Sequence, residues 1–306
     1  MQEKNIKGFN NESFRILVED LLHDAFYLDG RRNRGVITTI RQYTEVIVRK
    51  ILNYSEAERF TLGQNAVRNA LEEASDKNEL LLQAINNIHK LGNQTTHTQY
   101  VQEVTQEDVN VAINSLFDLY AFLFISYFKK YRFGKNLEIV SAFSILPPII
   151  RYITLRELYD SDKENVTIID KYSLSILKAF DENKASTWLK ERENTLRNMS
   201  SVTLEAKEDL SNKVGPAFAN EVYNNAPNMF DVCFKRVVDV NDTIQTQGRL
   251  YDDFESAMAL YKEKGKVEGS DLEIADFNSL MEFSYLGRQA IKNKKLENIE
   301  SYITLD

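Results

Sequence analysis

The sequence predicts an all-α protein, an N-terminal helical bundle followed by a second helical domain. Only 4 Pro and 11 Gly among 306 residues leave little punctuation for many short strands. Apolar residues recur at three- and four-residue spacing through segment after segment. Capping-box patterns stand ahead of two of these segments.

A first helix is expected from about Glu12 to Leu28, with Phe14, Leu17, Leu21 and Phe26 near helical spacing and Asn11 as its cap. Gly30 to Gly35 makes a basic connector. A second helix follows from about Val36 to Leu52, where Ile37, Ile40, Thr44, Ile47 and Ile51 form one stripe at helical period. A short helix around Ala66 to Ala74 precedes a third stripe, Leu80, Leu81, Ile85, Ile88 and Leu91. Gly92 sits where a helix-terminating glycine belongs. Thr105-Gln106-Glu107-Asp108 resembles a capping box, with Asp in place of the usual Glu or Gln, and opens a long fourth helix to about Tyr131. From Leu116 to Phe128 that helix is apolar on nearly every face. One bundle cannot cover it, so it must meet the second domain or another copy of the protein. Thirteen residues that include Asp118 are too few to span a bilayer, and the stretch reads as a buried helix.

Arg132-Phe133-Gly134-Lys135-Asn136 marks the expected boundary, dividing the chain into 1–135 and 136–306. Leu137 to Ile145 is helical up to Pro147-Pro148, where the first proline disfavours helix in the residue before it and the second starts a new one. That helix runs to about Tyr159, and Val166 to Phe180 forms another. Lys184 to about Lys213 reads as one long charged helix anchored by Trp188, Leu189, Leu196, Val202 and Leu210. Gly215-Pro216 and Ala226-Pro227 interrupt the chain. Phe230 to Val240 suits a helix or a short strand, Arg249 to Lys264 is helical, and Ser270-Asp271-Leu272-Glu273 looks like a second capping box for a helix to about Lys295.

Hydrophobic residues at 43% and charged residues at 27% describe a globular chain. The single cysteine, Cys233, rules out a disulfide framework and a cysteine-based zinc site, and fits a reducing cytoplasm. Met1 to Asn10 is polar and lacks the apolar stretch of a signal peptide, so a cytoplasmic protein with no membrane association is expected. The net charge of −8 is uneven: residues 1–135 hold 17 Lys+Arg and 17 Asp+Glu, and the remainder carries the whole excess of acid. The neutral N-terminal part still offers a basic run, Arg31-Arg32-Asn33-Arg34, for phosphate contacts. The acidic C-terminal part is a poor nucleic-acid platform.

The richest chemistry lies in Lys90-Leu91-Gly92-Asn93-Gln94-Thr95-Thr96-His97, which places a cation, a carboxamide and an imidazole in one expected turn. Breaking an RNA phosphodiester without a metal needs a base for the 2′-hydroxyl, an acid for the leaving oxygen and a cation for the charged phosphorane. His97 is the natural acid or base, Lys90 supplies a cation, and Asn93 can orient phosphate or imidazole. Arg41 and Glu45, at i and i+4, share a face of the second helix and could reach the same place across the bundle. Each also has a structural reading. Gly92-Asn93 reads as a helix terminator, His97 as a loop residue, and Arg41–Glu45 as an ion pair contributing roughly 0.3–0.5 kcal/mol. No phosphate-binding Gly-x-x-x-x-Gly-Lys-Ser/Thr loop, dinucleotide fingerprint, His-Glu-x-x-His or Gly-x-Ser-x-Gly occurs. His89 lies close to His97, but without further ligands the two make a poor metal site, and His89 reads as a packing or surface residue of the third helix. Neither a metal nor a cofactor is expected.

The spacing of Lys90, Gly92-Asn93 and His97 between the third and fourth helices resembles the HEPN superfamily of four-helix domains, whose motif is an arginine, a short spacer and a histidine. Gly-Asn within the turn, together with Arg41-x-x-x-Glu45 on the second helix, is similar to a branch that accompanies bacterial restriction and antiphage systems. The resemblance covers roughly residues 20–133. It implies a homodimer in which paired motifs form a composite ribonuclease site at the interface. Lys90 departs from the motif arginine; it keeps the charge but loses the planar two-pronged grip on phosphate. The run Ser144-Ile145-Leu146-Pro147-Pro148, Arg151 and Asp170-Lys171 also resembles companions of that branch. No activity is attached to that run; Arg151 and Lys171 could bind an anion, and the commoner structural reading is that each makes a salt bridge to an acidic residue.

Two functions follow. The leading one is a metal-independent endoribonuclease of an antiphage or toxin-type system, acting on RNA as a homodimer, with Arg31, Arg32, Arg34 and Arg41 forming a basic groove near His97. The alternative is a non-catalytic helical sensor or adaptor that binds a protein partner or a phage-derived trigger.

Overall fold

The computed structural model describes residues 14–251 and 253–288. It is all-α: every regular element among them is helical, and the β contact between Ser200 and Asn228 is an isolated bridge. The expected cap at Asn11 and the helix start at Glu12 lie outside the described residues, whereas the last helix, expected to run to about Lys295, ends at Tyr285 with Leu286 as its C-cap. The chain forms two compact units. The first takes the described residues to Arg132, then 136–150, then 251–288; the second holds 133–135 and 151–250. Residues 136–150 belong to the first unit, so the chain passes into the second after Ile150, beyond the division expected at 135, and its last described segment returns to the first.

In the first unit, α1 (Arg15–Leu22) runs on as a π-helical turn over His23–Tyr27, followed by α2 (Asn33–Ile51), α3 (Asn65–Ala74), α4 (Glu79–Thr96), α5 (Gln106–Lys130) and α6 (Leu137–Phe143). α2, α4 and α5 pack pairwise, and α1 lies on α2. α5 starts at a true capping box: Thr105 Oγ1 accepts from the Asp108 amide at 3.2 Å, and Asp108 Oδ2 accepts from the Thr105 amide at 2.8 Å. Its 25 residues are long and apolar enough to cross a membrane, so the length argument drawn from Leu116–Phe128 was too narrow. Burial decides instead, because 83% of the apolar window is buried inside the fold, as in a core helix.

The cover for α5 comes from its own chain. α7 (Pro148–Ser161) begins in this unit, and α14 (Phe254–Lys264) and α15 (Leu272–Tyr285) complete it. Phe254 packs on Phe117 and Tyr120, Phe143 on Phe124 and Phe128, and Phe277 on Phe124 and Tyr127, with ring centroids 5.2–6.4 Å apart. A buried polar chain ties this segment down. Tyr43 and Tyr120 share a 2.8 Å hydrogen bond, Arg288 lies over the Phe254 ring at 4.3 Å, and Tyr27 donates to Glu255 Oε1 at 2.5 Å. Lys130 pairs with Asp276 at 3.0 Å. The apolar surface from which pairing with a second copy was argued is therefore covered within this unit.

The second unit holds the rest of α7, α8 (Val166–Ala179), α9 (Glu182–Lys190), α10 (Glu193–Arg197), α11 (Leu204–Val214), α12 (Pro216–Asn225) and α13 (Met229–Gln247). Its core joins α8, α9 and α13, with Trp188 edge-on to Tyr159 and Tyr172. The expected long helix over Lys184–Lys213 is three helices. It breaks after Lys190 and Arg197, and Thr203 caps a new start. Phe230–Val240 is helical, begun by the Asn228 cap, and not a strand. The expected capping box at Ser270 is absent: Asp271 is the N-cap and makes no side-chain cap bond. The helix expected from Arg249 starts later, at Phe254.

Phe254 is fully buried. Phe254→Ala is expected to cost about 3–5 kcal/mol, read as a lower urea midpoint at unchanged slope. A cost below about 1 kcal/mol would mean that this ring does not cover α5.

Candidate functional site

The site forms where α2 and α4 cross antiparallel. Arg34 of α2 reaches the last residues of α4, Thr38 Oγ1 lies 3.1 Å from Thr95 Oγ1, and Arg41 packs against Gly92. A Cβ on Gly92 would stand 2.3 Å from Arg41 Cδ and 3.0 Å from Arg41 Cβ, so the glycine is required by this close approach. It does not end the helix. α4 continues four residues further to Thr96, and His97 is its C-cap. The expected turn over Lys90–His97 is thus mostly helix. Arg34 explains how the helix continues without a glycine stop, because its guanidinium donates to the carbonyls of Gln94, Thr95, Tyr100 and Gln102 at 3.0–3.3 Å. Carbonyls that a glycine cap would otherwise satisfy are met by one side chain.

The crossing gathers part of the sequence-derived set and adds to it. Arg41 Nη1 donates to Thr96 Oγ1 at 3.1 Å, next to His97 in sequence. Arg41 Nε stands 3.7 Å from Glu45 Oε1, within ion-pair range but too far for a hydrogen bond, and no other partner meets that nitrogen. Burial raises the Glu45 carboxyl above its usual range despite the pull of Arg41 and Arg49. Desolvation thus outweighs attraction, and the Arg41–Glu45 pair is no simple stabilising contact.

Asn93 Nδ2 lies 2.9 Å from His89 Nε2, and a Cβ on Gly63 would fall 2.4 Å from that same nitrogen. The imidazole is therefore held between Asn93 and the connector after α2. Burial, with Arg41 nearby, lowers its pKa. Sequence reasoning set His89 aside as a packing or surface residue. The signal was the four-residue step His89, Asn93, His97, which reads as one face only once the helix is known to pass through Gly92.

Lys90 and His97 are exposed. Of the arginines expected to bind substrate, Arg31 pairs with Asp24 at 2.9 Å and donates to Thr39 at 2.7 Å, and Arg34 is committed to carbonyls. Arg32 alone of the three is exposed. The only cysteine is unsuited to chemistry, since burial, with Asp170 nearby, pushes the Cys233 thiol up to about 12. Among the described residues no three of His, Cys, Asp or Glu gather closely enough to hold a metal ion. The chain matches no family model, no curated protein and no solved structure.

Gly92→Ala tests the crossing. Alanine normally favours a helix interior by about 1 kcal/mol over glycine, yet here a loss of thermal stability is expected as Arg41 is displaced. A gain in Tm would show that the helices do not approach this closely. His89 tests the electrostatics. Its folded pKa lies below the unfolded value, so the unfolded chain binds the proton more readily, and stability falls as pH drops through 6.5 toward the folded pKa. His89→Gln is expected to flatten the Tm-against-pH curve between about pH 7 and 5. An unchanged slope would remove the argument.

Proposed function

We propose that the first unit is an HEPN-like RNA-cleaving module of a defence system, acting without a metal as a homodimer. The observation that carries this reading is the crossing at Gly92, which sets Arg41 beside Thr96 and Glu45 and beside the α4 face bearing His89, Asn93 and His97. A cation, a carboxamide and imidazoles are what 2′-hydroxyl attack on phosphorus needs. One group takes the 2′ proton, another protonates the departing 5′ oxygen, and the products are a 2′,3′-cyclic phosphate and a 5′-hydroxyl.

Helix geometry limits the assignment. His89 and His97 are eight residues apart, about 12 Å along an axis that rises 1.5 Å per residue, too far to flank one phosphorus together. His97, exposed at the helix end, is the acid or base. His89 is a positioning residue that orients Asn93. Lys90 and Arg32 are exposed for phosphate contact, and Arg41 supplies further charge. A second imidazole then has to come from a second copy, which keeps pairing in the proposal although α5 no longer argues for it.

The alternative is a helical sensor or adaptor that binds a protein partner or phage-derived trigger. The commitment of Arg31 and Arg34 to internal contacts favours it, since that removes half of the expected basic groove. Incubation with total RNA in excess EDTA separates the two. Wild type is expected to cut at discrete sites, His97→Ala to be inactive, and His89→Gln to be slowed. Intact RNA with every protein, or equal cutting by wild type and His97→Ala, would transfer the assignment to the adaptor.

A further inference from the structure

His97 stands on a segment that apolar packing does little to hold. The connection from α4 to α5 runs through turns and bends, and every side chain from 96 to 105 is exposed or half-buried. Val101, one of its two valines, is 88% exposed. Segments with few buried contacts open readily, yet a reacting side chain carried on a loop needs a rigid support. Something polar must supply that support.

The first turn of α2 does so. Arg34 Nη1 donates to the carbonyls of Gln94 and Thr95 at 3.0 and 3.2 Å, and Nη2 to those of Tyr100 and Gln102 at 3.0 and 3.3 Å. The first two acceptors precede His97 in the chain and the other two follow it. One planar group therefore grips both arms of the segment that bears the imidazole. Asn33 Nδ2 adds the Val104 carbonyl at 3.1 Å, and the Tyr100 amide donates to the His97 carbonyl at 3.2 Å, drawing the arms together. The charge suits the place, because the last carbonyls of a helix carry partial negative charge. The residue type suits it too: a guanidinium presents five N–H groups in a fixed fork, whereas an ammonium offers three from a single point.

We propose that Arg34 is a positioning residue, which fixes the His97 imidazole by clamping the chain on either side of it, and is not a ligand for the substrate. The use made of the held imidazole rests on the ribonuclease reading; the clamp itself does not. Charge alone cannot do this work. Lysine at 34 would keep a phosphate contact and lose the four-carbonyl grip.

Arg34→Lys in the full chain, followed by NMR, is the test. The His97 imidazole line is assigned by its loss in His97→Gln, and His23 and His89 supply the internal references. In Arg34→Lys the His97 line is expected to shift or split, and the Tyr100 amide to exchange about ten-fold faster or more, while the His23 and His89 lines stay in place. Asn33→Ala, which loses only the Val104 bond, should change the same signals in the same direction and less, and it serves should lysine at 34 disturb the fold. In RNA cleavage, Arg34→Lys should lower kcat roughly ten- to a hundred-fold, the scale of a misplacement of about an ångström, at unchanged KM and unchanged salt dependence. A phosphate-binding Arg34 would reverse the pattern, with cleavage nearly kept, KM raised and the His97 line unmoved. An unmoved His97 line and Tyr100 amide in Arg34→Lys overturn the clamp whatever happens to RNA. A displaced line with RNA left intact by the wild type overturns the ribonuclease reading and leaves the clamp standing.

Discussion

The first unit is organised around the dehydration of α5. A helix with Leu116, Tyr120, Phe124 and Phe128 on one side and Phe117, Ala121 and Ile125 on another has no face to give to water. Each buried ring contributes on the order of 2–3 kcal/mol, so neighbouring helices are drawn to it from every direction. α2 and α4 are held against it and against each other, and that three-way contact brings α2 within reach of Gly92. The candidate site is a by-product of this packing: Arg41 lies where the helices come closest, and Glu45 follows one turn later.

What the sequence revealed was what local physics controls. The Thr105–Asp108 box, the Pro148 start and the glycine–proline break at 215–216 are settled within four or five residues, and the chain shows them as read. Gly92 misled because a glycine late in a helix has two uses, turning the chain and letting another backbone approach. Only the partner helix distinguishes them. The stretch 184–213 looked continuous because its charged composition suits a helix throughout. Its breaks follow from tertiary contacts, including the Ser200–Asn228 bridge. Phe230–Val240 carried strand-forming residues, but the Asn228 cap and the α8 surface overrode their preference.

The site was legible by composition and less so by arrangement. Arg41 and Glu45 share a face, as their spacing required. Arg31 and Arg34 looked like ligands for a polyanion, yet they answer to groups the sequence cannot place: a carboxylate at Asp24, and carbonyls left open at the end of α4. Surface-reading of basic runs fails in this way whenever a helix end lacks its glycine. His89 was the converse case, a residue set aside until Asn93 and Gly63 were seen to grip it.

The division of the first unit along the chain also has a temporal meaning. Phe254 and Phe277, which close over α5, are synthesised after about 120 further residues, most of them belonging to the other unit. At about 5–20 residues per second the ribosome needs on the order of 6–25 s to deliver them. Throughout that interval the nascent bundle presents its aromatic face unshielded, a substrate for chaperones and a hazard for self-association. The unit that begins to fold first is the one that finishes last.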